Sequence, residues 1–268
     1  MNMMSTAAPW DLVAEGYAET TMRVFGGYID VALELVGPRP EDRILDVACV
    51  PGTLALAAAG RVAHVDALDF SENMIAELQK GIAATGVANI TPRQGDGQAL
   101  PYADGSFDAA FSLFGLMFFP DRAKGYAELY RTLKPGGRAC VSSWAPVADS
   151  PLMQAVFGAL RAINPDIPES KTDPESLENP DVLSAEIAAA GFREVAVHGI
   201  TKGAEYATAA EFWEQMVKGS APVLMMKNKM GEEAWREKSK IAVAHIDSNA
   251  GPFPATLNAN AWLGVGVK

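Results

Sequence analysis

The chain has 268 residues, 49% of them apolar, which suits one α/β domain with appended elements and is too apolar for a disordered chain. Its formal net charge is −11, a surface that repels phosphate backbones and anionic lipid, so neither nucleic acid nor membrane is an expected partner. No apolar run approaches the roughly 18 residues of a membrane span. The opening "MNMMSTAAPWDL" has no basic region followed by an apolar stretch, so a cytoplasmic protein is expected.

The first element in the chain is "TTMRVFGGYIDVALELV", where Met22, Phe25, Ile29, Leu33 and Val36 form the stripe of an amphipathic helix. "GPRPED" breaks it, and Arg43 to Ala48 reads as a first strand followed by a loop and the helical "TLALAAAG". Val62 to Phe70 is a second strand candidate. Ser71 is placed to cap the next helix, with Met74, Ile75, Leu78 and Ile82 on one face. "NITPRQGD" is a third strand and Phe107 to Phe114 a fourth of the fully buried sort. A helix over about Arg122 to Leu133 ends at "KPGG", and Arg138 to Trp144 is a fifth strand. This alternation predicts a doubly wound parallel sheet.

After Trp144 the pattern changes. "SPLMQAVFGALRAI" reads as a helix and "NPDIPESKTDPESLENP" as an exposed loop. A helix follows from Asp181 to Ala190, then a sixth strand from Arg193 to Ile200. "TAAEFWEQMV" presents Ala209, Phe212, Trp213, Met216 and Val217 on one face. A last helix covers Glu232 to Ile246, and "LNANAWLGVGVK" reads as a closing strand. Three regions result: N-terminal cover helices (1–40), a cofactor-binding core (41–145) and a helical lid with the last two strands (146–268), all within one domain. Cys49 and Cys140 form no CxxC pair, which argues for core thiols and against a metal site or a disulfide.

The loop "DVACVPGT" lies at the end of the first strand, where doubly wound sheets bind ligands. It carries one glycine, Gly52, with Ala48 and Val50 where two more would be expected. Asp69 ends the second strand and is placed to accept from a ribose diol. Asp96 in "GDGQALP" could accept from an adenine amine or simply form an Asx turn. Asp46 would repel a pyrophosphate but suits the cationic aminoacyl end of S-adenosylmethionine. An adenosyl cofactor therefore fits better than a dinucleotide, and a nicotinamide-dependent oxidoreductase is disfavoured.

These residues resemble the class I S-adenosylmethionine-dependent methyltransferases, in the group of menaquinone/ubiquinone-type small-molecule enzymes. "ILDVACVPGT" is similar to their first motif and "ALDFSENMI" to their second. "GDGQALPYADGSFDAAFSLFGLMFFPD", "YRTLKPGGR", "AAGFREV" and "AWLGVGVK" match later stretches, and "WDLVAEGYAE" the N-terminal cover. The likeness covers residues 9 to 145 strongly, and 181 to 200 and 258 to 268 weakly. It implies a Rossmann-like sheet of seven strands, the last reversed, with helical lid insertions. It also implies a cofactor set of Tyr17, Asp46, Ala48, Cys49, Gly52, Asp69, Phe70, Met74, Asp96, Gly97, Gln98 and Ser112. Val50 departs from the motif, which has glycine there, often at positive φ. Either the loop is displaced and binding weakened, or Val50 stays in the β region and Pro51 resets the turn.

The expected activity is methyl transfer from S-adenosylmethionine to a small, apolar or aromatic acceptor. The alternative is a catalytically weakened protein of this fold acting as a binding or regulatory module, motivated by Val50. A general base is needed only for hydroxyl or carbon acceptors. His245, on the lid helix, is the candidate base; His64 and His198 read as core or edge residues. Phe114, Met117, Phe118, Trp144, Trp213, Met216, Met225 and Met226 are candidates for the acceptor wall. The sequence leaves the oligomeric state open, a homodimer included.

Overall fold

A computed structural model describes residues 3–171 and 173–268, with the side chains of Thr21 and Met22 excepted, so Met22 on the helix stripe lies outside the described side chains. Likewise, Met1 and Asn2 of the opening stretch, and Thr172 of the Pro-rich loop, lie outside the described residues. One sheet of seven strands organises the rest: β1 (Arg43–Val47), β2 (His64–Asp69), β3 (Ile90–Gln94), β4 (Phe107–Ser112), β5 (Leu133–Trp144), β6 (Arg193–Tyr206) and β7 (Ala255–Val267). Their order is β3-β2-β1-β4-β5-β7-β6, and β7 alone runs antiparallel, between β5 and β6. Strand order reverses beside β1, so the carboxyl ends of β1 and β4 open a crevice there.

Helix α1 (Ala7–Val36) is a single 30-residue element, where the sequence suggested several cover helices. Its length follows from burial at both ends. Val13 and Ala14 pack near the start, and Tyr28, Ile29, Ala32, Leu33 and Val36 pack against the sheet. Gly37 stops it in the left-handed region, its N–H bonded to the Leu33 carbonyl at 2.9 Å. The near end of α1 is tied to helix α3 (Glu72–Thr85) by Asp11. Its carboxylate accepts from Ser71 Oγ at 2.6 Å and from the Asn73 N–H at 3.2 Å. Asp11→Ala should lower stability by about 1 kcal/mol, read as a fall in the urea midpoint.

Three strands start or run beyond their expected bounds. β5 begins at Leu133, because Leu133 pairs with Phe107 before "KPGG" shifts the register and Arg138 pairs with Ala109. Strands β6 and β7 stay paired past the last β5 partner, Ala261, to Tyr206 and Ala255. That projecting ribbon is the floor of a second core. Helices α4 (Arg122–Thr132) and α6 (Pro180–Ala189) pack on the sheet, while α5 (Pro151–Ile163), α7 (Ala209–Gly219), α8 (Ala221–Met230) and α9 (Glu232–Asn249) close over the ribbon, burying Ala159, Phe212, Trp213, Val223, Trp235 and Ile246. Helix α8 is absent from the sequence reading, since "APVLMMKNKM" offers no single apolar face. It packs two ways: Val223, Met226 and Met230 meet the second core, while Ala221 and Leu224 join a small cluster with α1. No helix among the described residues is long and apolar enough to cross a membrane.

Candidate active site

The site grows from the end of β1. Buried Leu45 and Val47 anchor the strand on one face, and Asp46, 2% exposed, faces the crevice between α1 and the loop that follows. That loop turns through three left-handed residues, Ala48 (φ 57°), Val50 (φ 47°) and Gly52 (φ 86°), before helix α2 (Thr53–Ala58). Val50 therefore does not stay in the β region. For a β-branched residue this backbone costs about 1–3 kcal/mol. Three hydrogen bonds hold it: Cys49 N–H to the Leu68 carbonyl at 3.0 Å, Gly52 N–H to the Cys49 carbonyl at 2.9 Å, and Val50 N–H to Asp69 Oδ2 at 2.9 Å. Gly52, at φ 86°, admits no larger residue without strain, and a Cβ there would also push on Leu78 Cδ1, 2.2 Å away.

Asp69 is thus already a structural acceptor. Its Oδ1 takes the Ser71 N–H at 2.9 Å, beside the Val50 bond on Oδ2. Burial raises its pKa to about 6, against the pull of the Ser71 and Val50 N–H donors. Asp46 is less supported: its Oδ2 is buried without a hydrogen-bond partner among the described residues. Burial, and then the charge of Asp69, push its pKa to about 8. Two buried carboxylates with no cation among the described residues lining the two spaces make a pocket complementary to a positive group. Burial, and then the Asp46 and Asp69 charges, drive the Cys49 thiol well above its ordinary range, which disfavours its thiolate.

Across the crevice, Asp96 Oδ1 accepts from the Gln98 N–H at 2.8 Å, the Asx turn that the sequence allowed, and from Gln98 Nε2 at 3.1 Å. Between them Gly97 is pressed close, with the place of its missing Cβ 2.6 Å from Phe119 Cζ and 2.8 Å from Val47 Cγ1. The roof is aromatic. Phe114 (φ 57°) stacks on Trp144 with ring centres 4.2 Å apart, and Phe25 meets Phe114 edge-on at 5.0 Å. Tyr17 stacks on Phe25 at 6.0 Å, and Trp10 packs against Phe118 at 5.2 Å. Burial and then the Asp69 charge hold the Tyr17 hydroxyl far above the usual phenol range.

These groups enclose a cavity of about 340 Å³ lined by Trp10, Tyr17, Asp69, Asp96, Gln98 and Phe118. A smaller annex of about 30 Å³ shares Tyr17, Ala48, Val50, Leu113 and Phe114 with it and is closed by Asp46, Cys49 and Thr53. Of the residues singled out in the sequence, Tyr17, Ala48, Asp69, Phe70, Asp96, Gly97 and Gln98 line the larger space, and Asp46 and Cys49 the annex. Three others stand behind the wall. Gly52 caps α2, Met74 is buried with Val13, Ala14 and Ala221, and Ser112 lies buried beside Gly115, its Oγ lacking a partner among the described residues.

His245 is outside both spaces, its ring against Gly158 at the α5–α9 contact, with Nε2 2.6 Å from where a Gly158 Cβ would stand. His64 bonds Thr91 Oγ1 at 3.0 Å on the sheet, and His198 is paired within β6 and β7. The acceptor wall is also smaller than expected. Phe114 and Phe118 line the cavity, and Trp144 supports Phe114, while Met117 joins the sheet core. Trp213, Met216 and Met226 pack in the second core instead, and Met225 is half-buried on α8. Among the described residues, neither space takes a lining residue from beyond Pro120. The sequence reading missed Trp10, Thr53, Leu113 and Phe119, and placed Phe25 only on a core stripe. Trp10, Tyr17 and Phe25 recur at seven and eight residues, a one-face helical spacing that would have grouped them.

The family described as "Methyltransferase domain" matches residues 44–137. A demethylmenaquinone methyltransferase of Thermus thermophilus is 35% identical over 184 residues, 61% of this chain and 78% of that protein. The chain belongs to the class I S-adenosylmethionine-dependent methyltransferases. Another relative, the demethylmenaquinone methyltransferase of Desulfitobacterium hafniense, is 38% identical over 124 residues, 44% of this chain and about half (49%) of that protein. The fold agrees with family membership. The YcgJ protein of Bacillus subtilis superposes with a TM-score of 0.59 at 20% identity, over 91% of this chain and 98% of that one.

Proposed function

We propose that this cleft binds S-adenosylmethionine and that the chain transfers its methyl group to a small apolar or aromatic acceptor. The observation that carries the reading is the buried Asp46 carboxylate, whose Oδ2 lacks a partner among the described residues. An aminoacyl ammonium is the group that would satisfy it. Asp69, with lone pairs left after its two N–H donors, would take the ribose hydroxyls, and Asp96 with Gln98 the adenine edge. The loop residues Ala48 and Val50 border both spaces, and Gly97 lets Phe119 and Val47 close tightly on the turn that carries Asp96.

When bound, the cofactor supplies an activated methyl group on a sulfonium. The chain's own residues hold the reactants in line and keep water out, through the roof of Trp10, Tyr17, Phe25, Phe114 and Phe118. No histidine, lysine or glutamate is among the described residues lining the two spaces. With the lining aspartates assigned to the cofactor, the acceptor is read as one that needs no dedicated base: a neutral amine, a thiolate or a phenolate. The net charge of −11 argues against a polyanionic acceptor, and we place the reaction in the cytoplasm.

Titration calorimetry with S-adenosylmethionine and S-adenosylhomocysteine tests this. Micromolar binding of both is expected, about −8 kcal/mol, with no binding of a nicotinamide dinucleotide. Silence with both adenosyl ligands would overturn the reading and favour a chain of this fold that has lost its cofactor.

A further inference from the structure

Val50 is the residue that the cofactor reading leaves unexplained, and its surroundings assign it a task. Its N–H is engaged with Asp69, and its side chain is turned against a cluster formed by Val13 and Ala14 of α1, Met74 of α3 and Ala221 of α8. Leu224 of α8 and Tyr17 of α1 pack on the same cluster. Val50 also borders both the cavity and its annex. Helix α8, whose other side is embedded in the second core, is thereby brought to the cofactor loop. None of its residues lines the cavity. A glycine at position 50 would relax the backbone but present no side chain to that cluster.

We propose that Val50 is a positioning residue whose branched side chain keys α1 and α8 onto the cofactor loop, so that cofactor residence depends on the C-terminal helical module. The proposal rests on the S-adenosylmethionine reading. In physical terms, the left-handed backbone at Val50 is retained because its apolar contact with that cluster and the Asp69 hydrogen bond offset its strain. Loosening either side of the contact should free the roof over Tyr17 and speed ligand escape, with little change in how the ligand itself is gripped.

A double-mutant cycle on the dissociation rate of S-adenosylhomocysteine tests the coupling, read by stopped-flow tryptophan fluorescence, since Trp10 lines the cavity. Val50→Gly and Leu224→Ala are each expected to speed dissociation about tenfold, and the double variant by little more than either alone. Val50→Ile, which keeps a branched side chain, should restore the slow rate. If Leu224→Ala does not fold, Leu224→Val serves in its place, with a smaller effect of the same sign. Dissociation from Val50→Gly at the parent rate or slower would overturn the proposal, as would effects that multiply to about a hundredfold in the double variant. A role limited to backbone strain would move the unfolding temperature of Val50→Gly without coupling to Leu224. A parent chain that binds no S-adenosylhomocysteine would sink the cofactor reading and this proposal with it. A parent that binds, with additive variants, sinks the proposal alone.

Discussion

Between pH 6 and pH 8 the cofactor-free chain is expected to lose stability steadily, and Asp46→Asn to remove most of that loss. The native Asp46 pKa is raised to about 8, against 3.8 for the ordinary carboxyl. Over that interval the folded chain keeps a proton that the unfolded chain has released. Stability therefore falls as pH rises from about 4 and levels off above about 8, with a slope near 1.4 kcal/mol per pH unit while the difference lasts. Asp69, raised to about 6, adds to the slope only below that pH, so the upper window isolates Asp46. Urea midpoints at pH 6, 7 and 8 measure it. An equal slope in the parent and in Asp46→Asn would show that this carboxyl is not the source.

The same proton links to binding. A ligand bearing an ammonium group favours the ionised carboxylate, so affinity for S-adenosylhomocysteine should rise toward pH 8. At pH 7, binding should release close to one proton, seen as a buffer-dependent heat in calorimetry. Asp46→Asn should bind more weakly and release none.

The second large effect is expected at Asp69. Asp69→Ala should weaken S-adenosylhomocysteine binding at least about a hundredfold, because it removes charge-assisted acceptors for two hydroxyls and leaves the Val50 N–H without its partner. Asp96→Asn is the internal contrast. An asparagine oxygen can still accept the Gln98 N–H that shapes the turn, so its loss should stay within about tenfold. Equal losses at the two positions would mean that Asp69 is a scaffold residue with no preferred place in the ligand's grip.

Much of the architecture was legible in the residues because the governing interactions are local. Ser71 as the cap of α3, Gly37 as the stop of α1 and the alternation of buried strands with amphipathic helices depend on near neighbours. The seven-strand sheet with one reversed strand, and the family itself, came through a motif resemblance that the structure and the relatives bear out. Asp46, Asp69 and Asp96 were readable as candidates because each sits at or just past the carboxyl end of a strand, and that end in this topology points at the crevice.

Other features depended on residues distant in the chain. Whether Val50 could occupy the left-handed region turned on Asp69 and on α1 and α8, far along the chain, which no spacing around "VPGT" reveals. Helix α8 has no apolar face of its own period because it serves two cores at once, so its amphipathic signal cancels. Trp213, Met216 and His245 carried the right chemistry for an acceptor pocket, yet the prolonged β6–β7 ribbon draws their helices into a separate core. Local propensity and pattern set which elements form and where the chemistry-bearing carboxylates fall. Long-range burial of apolar surface set which elements meet, and with that which side chains reach the cleft.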